Sequence, residues 1–248
     1  MKLLVSNQHG AVVMALMPFL YGSFLASSGT YLGDHFVWQQ IALFFAWISA
    51  YLMSYPLLAL FKAKKVEVYR KWVGIYATTA VIFALPALFY NPTILYFVPL
   101  FLPLVAINIY YSKTKNERAL GNDLTAIFIF SLVGVLAYYF PQQRLDLGSL
   151  KVGIEPSLFF IGSTLYVKSV LRERKNPRYY QASVLFHLLC CGLSLYWDNT
   201  SLALAFTFPC LRAILLPKYK LSVKQTGIGE FITTFFFFLP LFLDPILT

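Results

Sequence analysis

Phe231-Ile232-Thr233-Thr234-Phe235-Phe236-Phe237-Phe238-Leu239-Pro240-Leu241-Phe242-Leu243 runs without a single charge. It lacks the apolar–polar alternation of a membrane β-barrel strand. It also lies inside a longer apolar stretch, roughly 226–246, of the length an α-helix needs to cross a bilayer. Eight further stretches read the same way, at roughly 11–29, 36–61, 72–90, 93–111, 122–140, 152–170, 180–197 and 199–216. Together they leave only short loops and tails, so residues 1–248 read as a single integral membrane domain. The expected fold is all-α, a polytopic membrane protein with about nine transmembrane helices. The first stretch is read as a span and not as a signal peptide, because no small-residue cleavage site and soluble chain follow it.

Composition agrees. Of 248 residues, 59% are hydrophobic, 18% aromatic and only 12% charged, with a mean hydropathy of +0.67. Soluble domains carry about 25% charged residues. A disordered chain, a disulfide scaffold and an ordinary soluble enzyme are excluded.

The net charge of +10 resembles a nucleic-acid signature, but its distribution argues otherwise. Lys2 precedes the first span. Lys62, Lys64, Lys65, Arg70 and Lys71 lie between the second and third. Lys113, Lys115 and Arg118 follow the fourth, Lys168, Arg172, Arg174, Lys175 and Arg178 the sixth, and Arg212, Lys218, Lys220 and Lys224 cluster around the eighth-to-ninth loop. Only Arg144 and Lys151 fall in the alternate loops. Basic residues are retained on the cytoplasmic side of short loops. The pattern predicts a cytoplasmic N-terminus, an external C-terminus and a plasma (inner) membrane or equivalent bioenergetic membrane, with no nucleic-acid partner.

Two joints are short. Tyr90-Asn91-Pro92-Thr93 and Trp197-Asp198-Asn199-Thr200 have turn chemistry, and each predicts an antiparallel helix hairpin. Pro18, Pro56, Pro86, Pro99, Pro103, Pro209 and Pro240 fall within spans, where neighbouring groups re-satisfy the freed carbonyls. Pro99 and Pro103 are expected to kink the fourth helix. The three cysteines, Cys190, Cys191 and Cys210, lie inside spans. They read as small apolar filler, with no Cys-x-x-Cys and no haem-attachment motif. His187 is mid-span, whereas His9 and His35 lie near the two faces, which gives no matched pair for a haem.

Ionisable groups at membrane depth are functional candidates. Asp123 opens the fifth span beside Asn122. Glu155 and Lys168 sit at opposite ends of the sixth. Arg212 lies in the eighth and Glu230 one turn into the ninth. Asp123, Arg212, Glu230 and His9 would line one cytoplasmic cavity. The competing reading is snorkelling together with acids at helix N-termini, which suits Asp123 and Glu230. Asn7-Gln8-His9-Gly10 ahead of the first span is more polar than a cap requires. Arg172 and Arg174 belong to a five-cation loop, read either as topology and anionic-lipid attraction or as a phosphate or diphosphate site.

Three segments resemble the YwiC-like family of bacterial membrane proteins. They are Asn7-Gln8-His9-Gly10-Ala11 with Pro18-Phe19-Leu20-Tyr21-Gly22, then Asn116-Glu117-Arg118-Ala119-Leu120 with Asn122-Asp123-Leu124, and Tyr166-Val167-Lys168 with Arg172-Glu173-Arg174 and Asn176-Pro177-Arg178. One departure is Val12, where the family usually has Trp. The family is similar, more distantly, to UbiA-type intramembrane prenyltransferases. That resemblance implies a UbiA-like bundle with its site on the cytoplasmic side. Pro18 to Gly22 matches the Pro-x-x-x-Gly of their first span, and Tyr110 to Tyr139 looks like their fourth-to-fifth helix passage. Those enzymes hold Mg²⁺ with two Asp-rich motifs. Hard cations need several oxygen ligands, and here the corresponding loops hold one acid each, Glu67 and Glu173. No Mg-binding Asp-rich motif is present, so no catalytic residue is assigned and whether the chain is an enzyme stays open.

The leading functional expectation is binding of an isoprenoid, quinone or anionic lipid headgroup in a cytoplasm-facing cavity. Its candidate residues are Asn7, Gln8, His9, Glu117, Arg118, Asn122, Asp123, Lys168, Arg172, Arg174, Arg212 and Glu230. The alternatives are a small-molecule or ion transporter, a prenyltransferase-like enzyme and an assembly subunit of a membrane complex. No inverted repeat with matched broken helices supports the transporter.

Overall fold

A computed structural model describes Leu4 and residues 9–28, 36–62 and 66–247. Among these described residues nine α-helices follow in order: α1 His9–Ser27, α2 Gln39–Leu60, α3 Val66–Tyr90, α4 Val98–Lys113, α5 Leu120–Tyr139, α6 Leu147–Val167, α7 Pro177–Tyr196, α8 Thr200–Leu215 and α9 Val223–Leu247. Among the described residues there is no strand. In lipid, a backbone must satisfy its own N–H and C=O groups, and a helix does so within one segment. Among the described residues seven helical stretches are long and apolar enough to cross a membrane, and the chain is a multi-pass membrane protein. The two that fall short are α6 and α7. Lys151 and Glu155 dilute α6, and α7 opens with Pro177-Arg178-Tyr179-Tyr180-Gln181.

Contacts within the chain gather into two compact units, 1–153 and 154–248. In the first, α2 packs along α3, α1 along α5 and α4 along α5. The α1–α5 contact is set by two glycines. A Cβ on Gly22 would lie 2.1 Å from the carbonyl oxygen of Gly134, and one on Gly134 would lie 2.7 Å from that of Pro18. The Pro18-x-x-x-Gly22 stretch is thus a packing face, on which small residues let two helix backbones meet. Trp47 on α2 donates its indole N–H to Ala15 O at 2.8 Å, and its ring meets Phe130 of α5 edge-on.

The 90–93 joint turns the chain as expected, but α3 and α4 do not form the expected hairpin. α3 packs along α2, and the fourth span begins as a 3-10 stretch, Pro92–Phe97, before α4 starts. Pro99 therefore lies in the first turn of α4, where its missing N–H has no helical partner to lose. Only Pro103 sits inside. Asn91 is fully buried. Its side-chain carbonyl accepts from Thr93 N at 3.1 Å, and its amide donates to Phe140 O at 2.8 Å. Tyr90 donates its hydroxyl to Pro141 O at 3.1 Å. Asp146 starts α6 by accepting from Gly148 N at 2.9 Å and from the Tyr138 hydroxyl at 2.8 Å.

In the second unit, α7 packs on α8 and α8 on α9. The 197–200 joint does make a hairpin. Asp198 adopts φ 53°, Asn199 N donates to Ser194 O at 2.9 Å, and the Asn199 side chain caps α8 by accepting from Leu202 N at 3.0 Å. Phe159 of α6 stacks on Phe237 of α9 at 4.2 Å between centroids, and Phe206 of α8 meets the same ring edge-on.

Valine at Gly22 or Gly134 is expected to force α1 and α5 apart, at a cost of about 1–3 kcal/mol or more. Alanine at Gly74, whose Cβ would meet nothing within 4 Å, is expected to be tolerated. Thermal denaturation of the three variants in detergent measures the difference.

Candidate functional site

The charged groups buried deepest lie in the second unit and centre on Arg212. The face that α8 turns inward is otherwise small or apolar: Ala203, Ala205, Phe206, Pro209, Cys210 and Ala213. This lets neighbouring helices close around one long cationic side chain. The Arg212 side chain is only 2% exposed and forms an ion pair with Glu230 of α9, which is 19% exposed. Its Nη1 and Nη2 lie 3.5 and 3.4 Å from Ser163 Oγ on α6. The guanidinium carbon sits 4.1 Å from the centroid of the Tyr166 ring, a cation–π contact that strengthens when desolvated. The Nε–H of Arg212 is buried without a hydrogen-bond partner.

Glu230 lies too deep in its helix for the capping reading and sits beside Arg212, as the shared-site reading has it. α9 starts at Val223, so Glu230 is its eighth residue and lies beyond the first turn, where a helix dipole acts. Its position is explained by Arg212 and not by the helix terminus. Asp123 does lie in the first turn of α5.

Just beyond α6, Lys168–Arg172 form a single π-helical turn, a device that often marks functional segments. Val170 packs there with Tyr166 and Ala213, and Lys168 is buried at 4% exposure. Arg172 and Arg174 are exposed. Arg174 reaches Tyr219 O in the loop before α9 at 3.3 Å.

The candidates of the first unit have a local structural setting. The buried Ser112 hydroxyl lies 3.0 Å from Leu58 O and 3.1 Å from Glu117 Oε1. Lys62 pairs with the same carboxylate at 2.5 Å, and Asn122 donates to Glu117 O at 2.9 Å. The stretch from Asn116 to Asn122 is thus fastened to the end of α2. Gly121 admits the Tyr111 hydroxyl, which a Cβ would meet at 2.3 Å. Arg118 is exposed and Asp123 half-buried, and both make further electrostatic or hydrogen-bonding contacts. Asn7 and Gln8 lie outside the described residues. His9 begins α1, and its side chain also lies outside them.

Among the described residues, no group of three or more His, Cys, Asp or Glu side chains gathers to hold a metal ion. What the second-unit cluster can do is bind. A guanidinium paired with Glu230 that keeps one unpartnered N–H can donate that N–H to an anionic oxygen. Ser163 and Tyr166 complete this cluster, although the sequence does not single out Ser163. The available signal was helical spacing, since positions 163, 166 and 170 share one face of α6.

Glu230→Gln is expected to leave a buried guanidinium uncompensated and to destabilise the protein by about 3–5 kcal/mol. Replacing both partners, Arg212→Leu with Glu230→Leu, is expected to recover much of that loss. Denaturation of the single and double variants in one detergent tests the coupling.

The family model described as YwiC-like protein matches residues 5–138, just over half of the chain. An "Uncharacterized protein" of Haemophilus influenzae is 54% identical over 239 residues, covering 96% of this chain and 97% of its own. The "Uncharacterized protein YwiC" of Bacillus subtilis is 35% identical over 237 residues, covering 96% of each chain. No solved structure matches. Two of the three motif segments lie within the matched residues. The third, from Tyr166 to Arg178, lies within the length that these relatives share. The chain belongs to the YwiC-like family.

Proposed function

We propose that this multi-pass membrane protein binds an anionic lipid headgroup or an isoprenoid or quinone, in a UbiA-like bundle that works without Asp-rich Mg²⁺ motifs. The observation that carries the reading is Arg212, a guanidinium buried among apolar helices with an unpartnered Nε–H. A charge at that depth is costly to keep. The ion pair with Glu230 lowers the cost, and an anionic ligand would use the remaining donor. Arg172 and Arg174, exposed on the adjoining loop, would draw the headgroup in. Glu117, Arg118, Asn122, Asp123, Asn7, Gln8 and His9 remain candidates for ligand contacts of the first unit.

In this reading the N-terminus is cytoplasmic and the C-terminus external, in a plasma or equivalent bioenergetic membrane. The alternation of basic loops supports it. Maleimide labelling in intact cells tests it, with single cysteines at Lys115 and Arg144. Arg144→Cys is expected to react from outside and Lys115→Cys only after permeabilisation, and the reverse would invert the orientation.

Ligand identity is tested by mass spectrometry of lipids co-purifying in mild detergent. A near-stoichiometric isoprenoid, quinone or anionic lipid is expected, and it should fall several-fold in Arg172→Gln/Arg174→Gln. Bulk phospholipid alone, unchanged by the substitutions, would return these residues to a topology role. Transport of a small molecule or ion is the second reading, favoured by the ionisable groups buried along the second unit.

A further inference from the structure

α3 buries one side only. Its buried side chains, Trp72, Tyr76 and Ala87, share one side of the helix, and α2 is its main neighbour. On the opposite side Glu67, Lys71, Gly74, Thr78, Val81 and Leu85 recur every three or four residues, and all are exposed. They extend for about 27 Å along the helix. Such a repeat is the spacing by which one helix packs along another. Toward the N-terminal end of α3, Glu67, Arg70, Lys71 and Gly74 line an open groove that continues to Thr78.

Lipid alone does not explain this side. Glu67, Arg70 and Lys71 are exposed, and among the described residues none of them enters an ion pair. Basic side chains at a helix end suit anionic lipid, but a carboxylate among them repels it. Gly74 is the second discordant feature. Glycine inside a helix is destabilising relative to alanine, and a Cβ here would meet nothing within 4 Å, so no neighbour among the described residues calls for it. Gly10, Gly192, Gly227 and Gly229 are equally unconfined, yet the residue one turn on is Met14, Tyr196, Phe231 or the buried Thr233. Gly74 is followed instead by Thr78, small and exposed.

Both signs of charge on one face fit a second copy of this chain, which carries the same set. We infer that α3 is the contact between two copies lying side by side in the bilayer, related by a two-fold axis along the membrane normal. Both copies carry the same insertion signals, so they share one orientation and their α3 helices run parallel. A two-fold contact must be self-complementary. Cα–Cβ bonds tilt toward a helix N-terminus, which brings the long Arg70 and Lys71 side chains back to the level of Glu67. Glu67 of each copy thus faces Arg70 and Lys71 of the other.

One turn beyond Lys71, Gly74 lets the two backbones approach, as small residues do where membrane helices meet. The Thr78 hydroxyl, exposed in a single copy, gains a partner across the axis. Val81 and Leu85, 59% and 45% exposed in the single chain, extend the contact toward the other face of the membrane. The inference does not depend on a ligand at Arg212, which lies in the other unit.

The test uses the full-length chain in native membranes, with Cys190, Cys191 and Cys210 replaced by alanine so that introduced cysteines report alone. Under mild oxidation Thr78→Cys and Val81→Cys are expected to trap a disulfide dimer, which needs Cα atoms within about 7 Å. Leu188→Cys, exposed on α7, is expected to stay monomeric. Gly74→Ile is expected to lower trapping at Thr78→Cys several-fold, and so is Glu67→Lys. Co-expressing Glu67→Lys copies with Arg70→Glu/Lys71→Glu copies is expected to recover it, because the two faces then carry opposite charge. Trapping no greater at Thr78→Cys than at Leu188→Cys would overturn the proposal, and so would trapping indifferent to Gly74→Ile and to the charge changes. If Gly74→Ile does not fold, the charge variants at exposed positions decide alone. A monomer whose anionic lipid is lost in Arg70→Gln/Lys71→Gln would give the face to lipid instead and overturn the dimer. Ligand content is read separately, so a dimer without bound ligand would count against the ligand reading only.

Discussion

With hydrocarbon outside, an apolar side chain gains little by turning inward, so these helices must be held by close backbone approach and by polar groups that meet one another. That constraint orders both units. In the first, Gly22 and Gly134 bring the backbones of α1 and α5 together, and the Trp47 indole bonds the backbone at Ala15. In the second, small residues on α8 let its neighbours enclose Arg212. The large apolar side chains of α3, α4 and α7 remain largely on the outside.

Buried polar groups then set specificity. Asn91 spends its amide on two backbones at once, its own turn and that of Phe140, which joins two loops distant in sequence. Arg212 and Glu230 do the same for α8 and α9, where a mispaired helix would leave a charge in an apolar medium. The same interactions that select the fold also leave a few atoms unpaired, among them Arg212 Nε and His187 Nε2. The proposed function rests on the first of these atoms.

Much of this was legible from residue order. Long uncharged runs meant helices, and Asn91 and Asn199 marked turns that the structure builds with their side chains as caps. Arg212 and Glu230 stood out as charges at membrane depth, and they are found together. Residue order brought Arg212 and Glu230 to one end of their helices but left capping as a competing role for Glu230, because a helix boundary shifted by one turn put the carboxylate near the terminus. The splaying of α3 from α4 was not legible, since a short joint restricts distance but does not choose which neighbour a helix packs along.

The sequence by itself determined that the chain is a multi-pass helical membrane protein and where its helices fall, because solvation by lipid acts on each segment separately and is written in composition and length. The tertiary structure alone decided that Pro18 and Gly22 form a packing face, that Ser163 and Tyr166 surround Arg212, and that Gly162 faces His187. Those contacts join residues on different helices. Helical periodicity fixes which residues share a face, but only the packing of one face on another determines which atoms meet and which are left without a partner.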